Sequence, residues 1–165
     1  MRLTGATLSK CGMYRYDLVR QESELSQFSA VPTGVFVMLN PSTADAAIDD
    51  PTIRRCWAFA QAWGKKKLIV LNLYACRATD PRDIMEFDDP VGPLNDQYLI
   101  DAGKAYPEFV VAWGKNAPKE RVKQVVEMLT SNGAKLFCLG TNKDGSPKHP
   151  LYLRADAQLV PWGPV

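Results

Sequence analysis

Four apolar runs of strand length recur along this chain: "GVFVML" at 34–39, "KLIVLNLYAC" at 67–76, "EFVVAWG" at 108–114 and "KLFCLG" at 135–140. They are continuous rather than alternating, the pattern of strands covered on both faces in a parallel sheet. Segments with helical spacing separate them. In "DDPTIRRCWAFAQAWG", Asp49 or Asp50 can cap a helix with Pro51 in its first turn. Ile53, Trp57, Ala60 and Trp63 then follow one stripe, and Gly64 stops the helix. A second helix is predicted from about Leu94 to Ala105. A third lies in "PKERVKQVVEMLTSNG", with Val122, Val125, Val126 and Leu129 on one stripe and a basic face at 119–123 expected in solvent. Strands alternating with helices predict an α/β fold with a central, mainly parallel four-stranded sheet.

The N-terminal "ATLSKCGMYRYDLV" reads as a β-hairpin turning around Lys10 to Gly12, and residues 21–34 as a polar connection. Residues 77–93, rich in Pro and Asp, read as irregular. A single α/β domain over 1–165 is expected, with the hairpin at 1–20 and the core at 34–160; 165 residues suffice for one core. The 46% apolar and 23% charged content is that of a soluble globular chain. No apolar run approaches the roughly 18 to 20 residues of a membrane span. No signal-peptide pattern opens the chain, so no membrane association and a cytoplasmic location are expected. The four cysteines, Cys11, Cys56, Cys76 and Cys138, form no C-x-x-C pair, which argues for reduced thiols over zinc or disulfides. A net charge of +2 permits nucleic-acid contact without demanding it.

Ligands of parallel α/β sheets sit beyond the carboxyl ends of the strands. Three polar features fall there: "LNPS" with Asn40, "LNLYACRATDP" with Asn72, and "SPKHPLYL" with His149, the one histidine. Each has an ordinary reading beside the functional one. Asn before Pro is a common turn former. Asn72 could bond a neighbouring loop, although a buried amide needs partners for up to about four hydrogen bonds. A single His in a Pro-rich loop is often structural or exposed. No phosphate-binding glycine motif is present.

The succession "VMLNPS", "VLNLY", "FVVAWGKNA" and "KHPLYL" resembles the uracil-DNA glycosylase superfamily, whose core is a four-stranded parallel sheet between helices. More closely, "VMLNPSTADA", "DDPTIRRC", "NLYACRATDP" and "DPVGP" are similar to the bacterial family called domain of unknown function 1643, over about residues 10–160. The glycosylase resemblance implies a three-layer fold and hydrolysis of an N-glycosidic bond, with a role in DNA repair. Asn40 would position the attacking water and His149 would donate to the base oxygen. Asn72 would read the base edge in a pocket with Pro41, Ser42 and Tyr74. Leu153, together with Tyr152, would be the wedge that replaces a flipped base. Arg77, Lys148 and Arg154 would meet phosphates, within a basic stripe that also includes Arg54, Arg55, Arg82 and Lys143.

This sequence departs from the glycosylase pattern at three places. Ser42 stands where a bulky aromatic excludes the thymine methyl, and no aromatic lies between 42 and 56 to stack on a base, leaving Tyr74 or Trp57 as substitutes. Leu151 and Tyr152 replace the small residues after His-Pro. No iron–sulfur spacing occurs, so no cofactor and no metal are expected. The expected partner is nucleic acid, DNA rather than RNA, or a nucleotide-like ligand, and the expected state is a monomer. Two alternatives stand beside the glycosylase reading: a non-catalytic module binding a nucleotide or an exposed base, and a hydrolase of free nucleosides.

Overall fold

The computed structural model describes residues 2–22 and 30–164. Part of the connection expected at 21–34, residues 23–29, lies outside the described residues. The elements are β1 (Arg2–Leu8), β2 (Arg15–Glu22), β3 (Thr33–Met38), α1 (Pro51–Ala62), β4 (Lys67–Asn72), a 3-10 turn (Pro81–Glu86), α2 (Asn95–Ala105), β5 (Glu108–Val111), α3 (Lys119–Thr130), β6 (Lys135–Cys138) and β7 (Val160–Pro161).

All the strands join one sheet in the order β1-β2-β4-β3-β5-β6-β7. The four expected strands form its parallel centre, β4-β3-β5-β6. Among the described residues the sheet is nevertheless mixed and has seven strands, which corrects the four-stranded, mainly parallel expectation. The hairpin does not stand apart: β2 pairs antiparallel with β4 as well as with β1. At the other edge β7 adds two residues antiparallel to β6. A Val-Pro pair has no periodicity to announce it, and its proline is tolerated because the strand is an edge.

Helices cover both faces. Phe36, Met38, Leu68 and Val70 pack with Ile53, Cys56, Trp57 and Phe59 of α1. Val35, Val37, Ile69, Leu71 and Val111 pack on the opposite face with Leu99 of α2 and Val125 and Leu129 of α3. The alternation along β4 thus places Asn72 in register with Met38, at the end of the apolar row that faces α1. Helix α1 starts as its sequence dictates: Asp50 accepts from the Ile53 N–H at 2.8 Å, with Pro51 following. Gly64 leaves it at φ +74°.

Two expectations change. β4 ends at Asn72 instead of continuing to Cys76. Beyond it, the carbonyls of Asn72 and Leu73 accept from the buried Asn95 side chain, and Leu73 also accepts from Arg121 Nε at 2.9 Å. Side chains therefore take the acceptors that a longer ladder would use. The basic face at 119–123 is not wholly solvated either. Arg121 is 5% exposed, paired with Asp96 at 2.7 Å and lying 5.8 Å from the centre of the Tyr74 ring.

Candidate functional site

β3 is the switch point of the sheet: the chain passes from it to β4 on one side and then to β5 on the other. Such an arrangement opens a crevice beyond the carboxyl ends. A cleft of about 750 Å³ lies there, lined by the ends of β3, β4 and β5, the start of α1 and the loop after β6. Its size is that of a small-molecule site.

Asn40, Ser42, Asn72, Lys148, His149 and Leu153 all line this cleft. Asn40 follows β3, and its Nδ2 donates to the carbonyls of Pro41 at 2.9 Å and Ala78 at 2.8 Å. Only an amide nitrogen can serve two carbonyl oxygens, so the amide is oriented and Oδ1 is its remaining acceptor. Pro41 is buried and contributes a carbonyl, which also accepts from the Ala78 N–H.

Asn72 is 1% exposed, and neither its Oδ1 nor its Nδ2 finds a partner among the described residues. An unmade bond on a buried polar atom costs about 1–3 kcal/mol, so an amide unbonded at both ends is what a recognition site would hold in reserve for a ligand.

His149 is positioned by main chain. Gly114 N–H donates to the Pro147 carbonyl at 3.0 Å and Lys148 N–H to Gly140 at 2.9 Å, tying its loop to the ends of β5 and β6. His149 Nδ1 accepts from the Leu151 N–H at 3.2 Å, so the neutral ring carries its proton on Nε2. Burial pushes the imidazole below its ordinary value, against an upward pull from Asp50. A neutral imidazole with an Nε2–H donor is thereby favoured.

The other expected site residues lie elsewhere. Tyr74 is buried and lines a second cavity of about 380 Å³, together with Arg82 and Met85. Tyr152 is 95% exposed and is the one non-glycine residue at positive φ, +70°, among the described residues. Arg77 donates to the Gly12 carbonyl at 3.3 Å. Arg154 is exposed and paired with Asp156, as Arg82 is with Asp80. Trp57 is absent from the cleft wall; Trp113 is the Phe, Tyr or Trp that lines it, and it packs edge-on against Trp162.

Arg15, Asp50, Lys115 and Asn116 also line the cleft and were not singled out in the sequence. Applying the strand-end rule to "AWGKN" would have found Lys115 and Asn116. Asp50 was legible only as a cap. Arg15 was hidden by a β-bulge: Thr7 pairs with Asp17 and Leu8 with Arg15, leaving Tyr16 extra. Tyr16 stacks on Tyr98 of α2, while Arg15 turns to the α1 side and donates from Nη1 to the Ala44 carbonyl at 2.9 Å. Burial lowers its guanidinium to about 10, still cationic at neutral pH.

The 42–50 segment over the cleft is held by Arg20, which is fully buried. It pairs with Asp49 at 2.7 Å and donates to the Asp45 carbonyl at 2.6 Å; Arg2 joins Asp49 at 2.8 Å. Cys56, Cys76 and Cys138 are buried, and burial raises all three thiols, Cys76 to about 11. Among the described residues no group of three or more His, Cys, Asp or Glu side chains could hold a metal ion. Among the described residues no helix is long and apolar enough to cross a membrane.

Fold and cleft together define a mixed α/β protein with a cleft of small-molecule size at its sheet switch point. Residues 15–151 match the family described as "Protein of unknown function (DUF1643)", and the chain belongs to that family. No curated protein and no solved structure matches it.

Proposed function

We propose that the cleft recognises a nucleobase and that the protein hydrolyses its N-glycosidic bond. The observation that carries the reading is Asn72, a buried amide on the cleft wall whose donor and acceptor both await partners. Donor and acceptor side by side match the edge of a base. Around it are a neutral His149 with an Nε2–H donor and an oriented Asn40 with Oδ1 free to accept.

The chemistry follows from these groups. The bond between the sugar carbon and the base nitrogen breaks, and the base leaves with the electron pair. Charge gathering on its exocyclic oxygen is met by the His149 Nε2–H, and such a fixed donor is worth about 10² to 10³ in rate. Water held by Asn40 Oδ1 adds to the sugar carbon and gives its proton to Asp50, the one carboxylate lining the cleft. The departed base anion takes up a proton from solvent and Asp50 returns its own to solvent, which leaves the free base and an abasic sugar.

Base release from single- and double-stranded oligonucleotides carrying uracil, hypoxanthine, xanthine and 5-modified pyrimidines tests the reading. Release that disappears in well-folded Asn72→Ala and His149→Ala supports it; release unchanged in both overturns it. One observation favours a second reading, binding without cleavage. Trp113 is only 3% exposed and packs against Trp162, so among the described residues the cleft wall offers no open Phe, Tyr or Trp ring for a base to stack on. Saturable oligonucleotide binding with no base release would establish that reading.

A further inference from the structure

Three arginines are buried in this protein, and they are not alike. Arg20 pairs with Asp49 and Arg121 with Asp96. Arg15, 2% exposed, has no carboxylate in ion-pair range among the described residues. Its side chain makes one hydrogen bond, Nη1 to Ala44, and its buried Nε makes none. Buried cations are ordinarily paired. The bulge at Tyr16 nonetheless turns this one into the cleft.

The surroundings reinforce its charge. Arg15, Lys115 and Lys148 line the cleft against one carboxylate, Asp50, whose Oδ1 is already engaged in capping α1. The N-terminus of that 12-residue helix opens into the same space, adding the positive end of its dipole.

We infer that Arg15 is the floor of an oxyanion subsite, and that the ligand of the cleft is a nucleobase compound bearing a phosphoryl or carboxyl group placed to meet its guanidinium. The nucleobase part rests on the function proposed above; the oxyanion part rests on Arg15. A planar guanidinium suits both groups, because each presents two oxygens to its fork. An uncharged base or nucleoside would leave Arg15 with no anion closer than Asp50, whose charge acts on it from beyond ion-pair range.

The test is calorimetric titration of the full chain with matched probes: inorganic phosphate, uridine against uridine 5′-monophosphate, and uracil against 5-carboxyuracil. In the wild type the charged member of at least one pair is expected to bind about 10- to 100-fold tighter, the worth of a charge-assisted hydrogen bond. Arg15→Gln should erase that ratio and Arg15→Lys should retain part of it. Asn72→Ala should weaken both members of a pair and keep their ratio. Preference for the nucleotide names a sugar phosphate as the source; preference for 5-carboxyuracil names a carboxyl on the ring. Phosphate binding lost in Arg15→Gln, with no response to any nucleobase probe, keeps the oxyanion subsite and overturns the base reading. Equal binding within both pairs, a ratio that survives in folded Arg15→Gln, or no binding by any probe including phosphate overturns the subsite. Should Arg15→Gln fail to fold, Arg15→Lys carries the test, and a ratio undiminished in that variant overturns the subsite.

Discussion

Asn40 and Ala78 are joined across 38 residues by a 2.8 Å bond from side-chain amide to main-chain carbonyl, and the same nitrogen serves Pro41. This position therefore needs a donor. Asn40→Asp would set a carboxylate against two carbonyl oxygens. The expected cost is about 1–3 kcal/mol in urea unfolding, with base release no better than in Asn40→Ala. An Asp variant as stable as wild type and faster in turnover would show that the orientation argument is wrong.

His149 gives a pH signature of defined sign. Burial holds its folded value below the ordinary 6.5. As pH falls, the unfolded chain takes up this proton first, so the stability contribution is intact above about 6.5 and is lost from there towards the folded value. Protonating Nδ1 would also oppose two donors, since Leu151 N–H already points at it. Wild type should lose stability between pH 7 and 5 more steeply than His149→Gln, read from denaturation midpoints. Parallel curves would refute the assignment.

The clamp on the 42–50 segment predicts asymmetric costs. Asp49→Ala strips the fully buried Arg20 of its carboxylate and should cost about 3–5 kcal/mol. The double variant Arg20→Met with Asp49→Leu removes both charges and should cost less than that single change. Urea unfolding of the set checks the order.

Gly103 marks where α2 and α3 touch. A β-carbon there would meet the Met128 carbonyl oxygen at 2.5 Å and Leu129 Cα at 3.1 Å, both main chain. Alanine gains about 1 kcal/mol in helix propensity. Overpacking against backbone costs typically about 1–3 kcal/mol and here exceeds that gain. Gly103→Ala should lower the melting temperature; an unchanged or raised value would mean the helices separate at little cost.

The legible parts of this fold were those written in local pattern. The four apolar runs form the parallel centre, and the Asp50–Pro51 start of α1 lies where its cap and proline put it. The strand-end rule brought Asn40, Asn72 and His149 to one cleft, although they are far apart in the chain. What stayed hidden depended on distant partners. β4 stops at Asn72 because Asn95 and Arg121 reach in from two later helices. Arg121 looked like a solvated cation until Asp96 and the Tyr74 ring enclosed it. Arg15 changed face because one extra residue entered β2, and a period-2 reading carries no signal for that.

The cleft draws its wall from β2, the ends of β3, β4 and β5, the first turn of α1 and the loop after β6. Hardly any part of the sheet can come apart without dismantling it. Occupancy and global folding are therefore thermodynamically coupled: a ligand at about 100 times its Kd stabilises the native state by about 2.7 kcal/mol. The melting temperature of the whole chain thus serves as a gauge of the cleft, and a library of small anions and nucleobase derivatives can be ranked on it before any reaction is known.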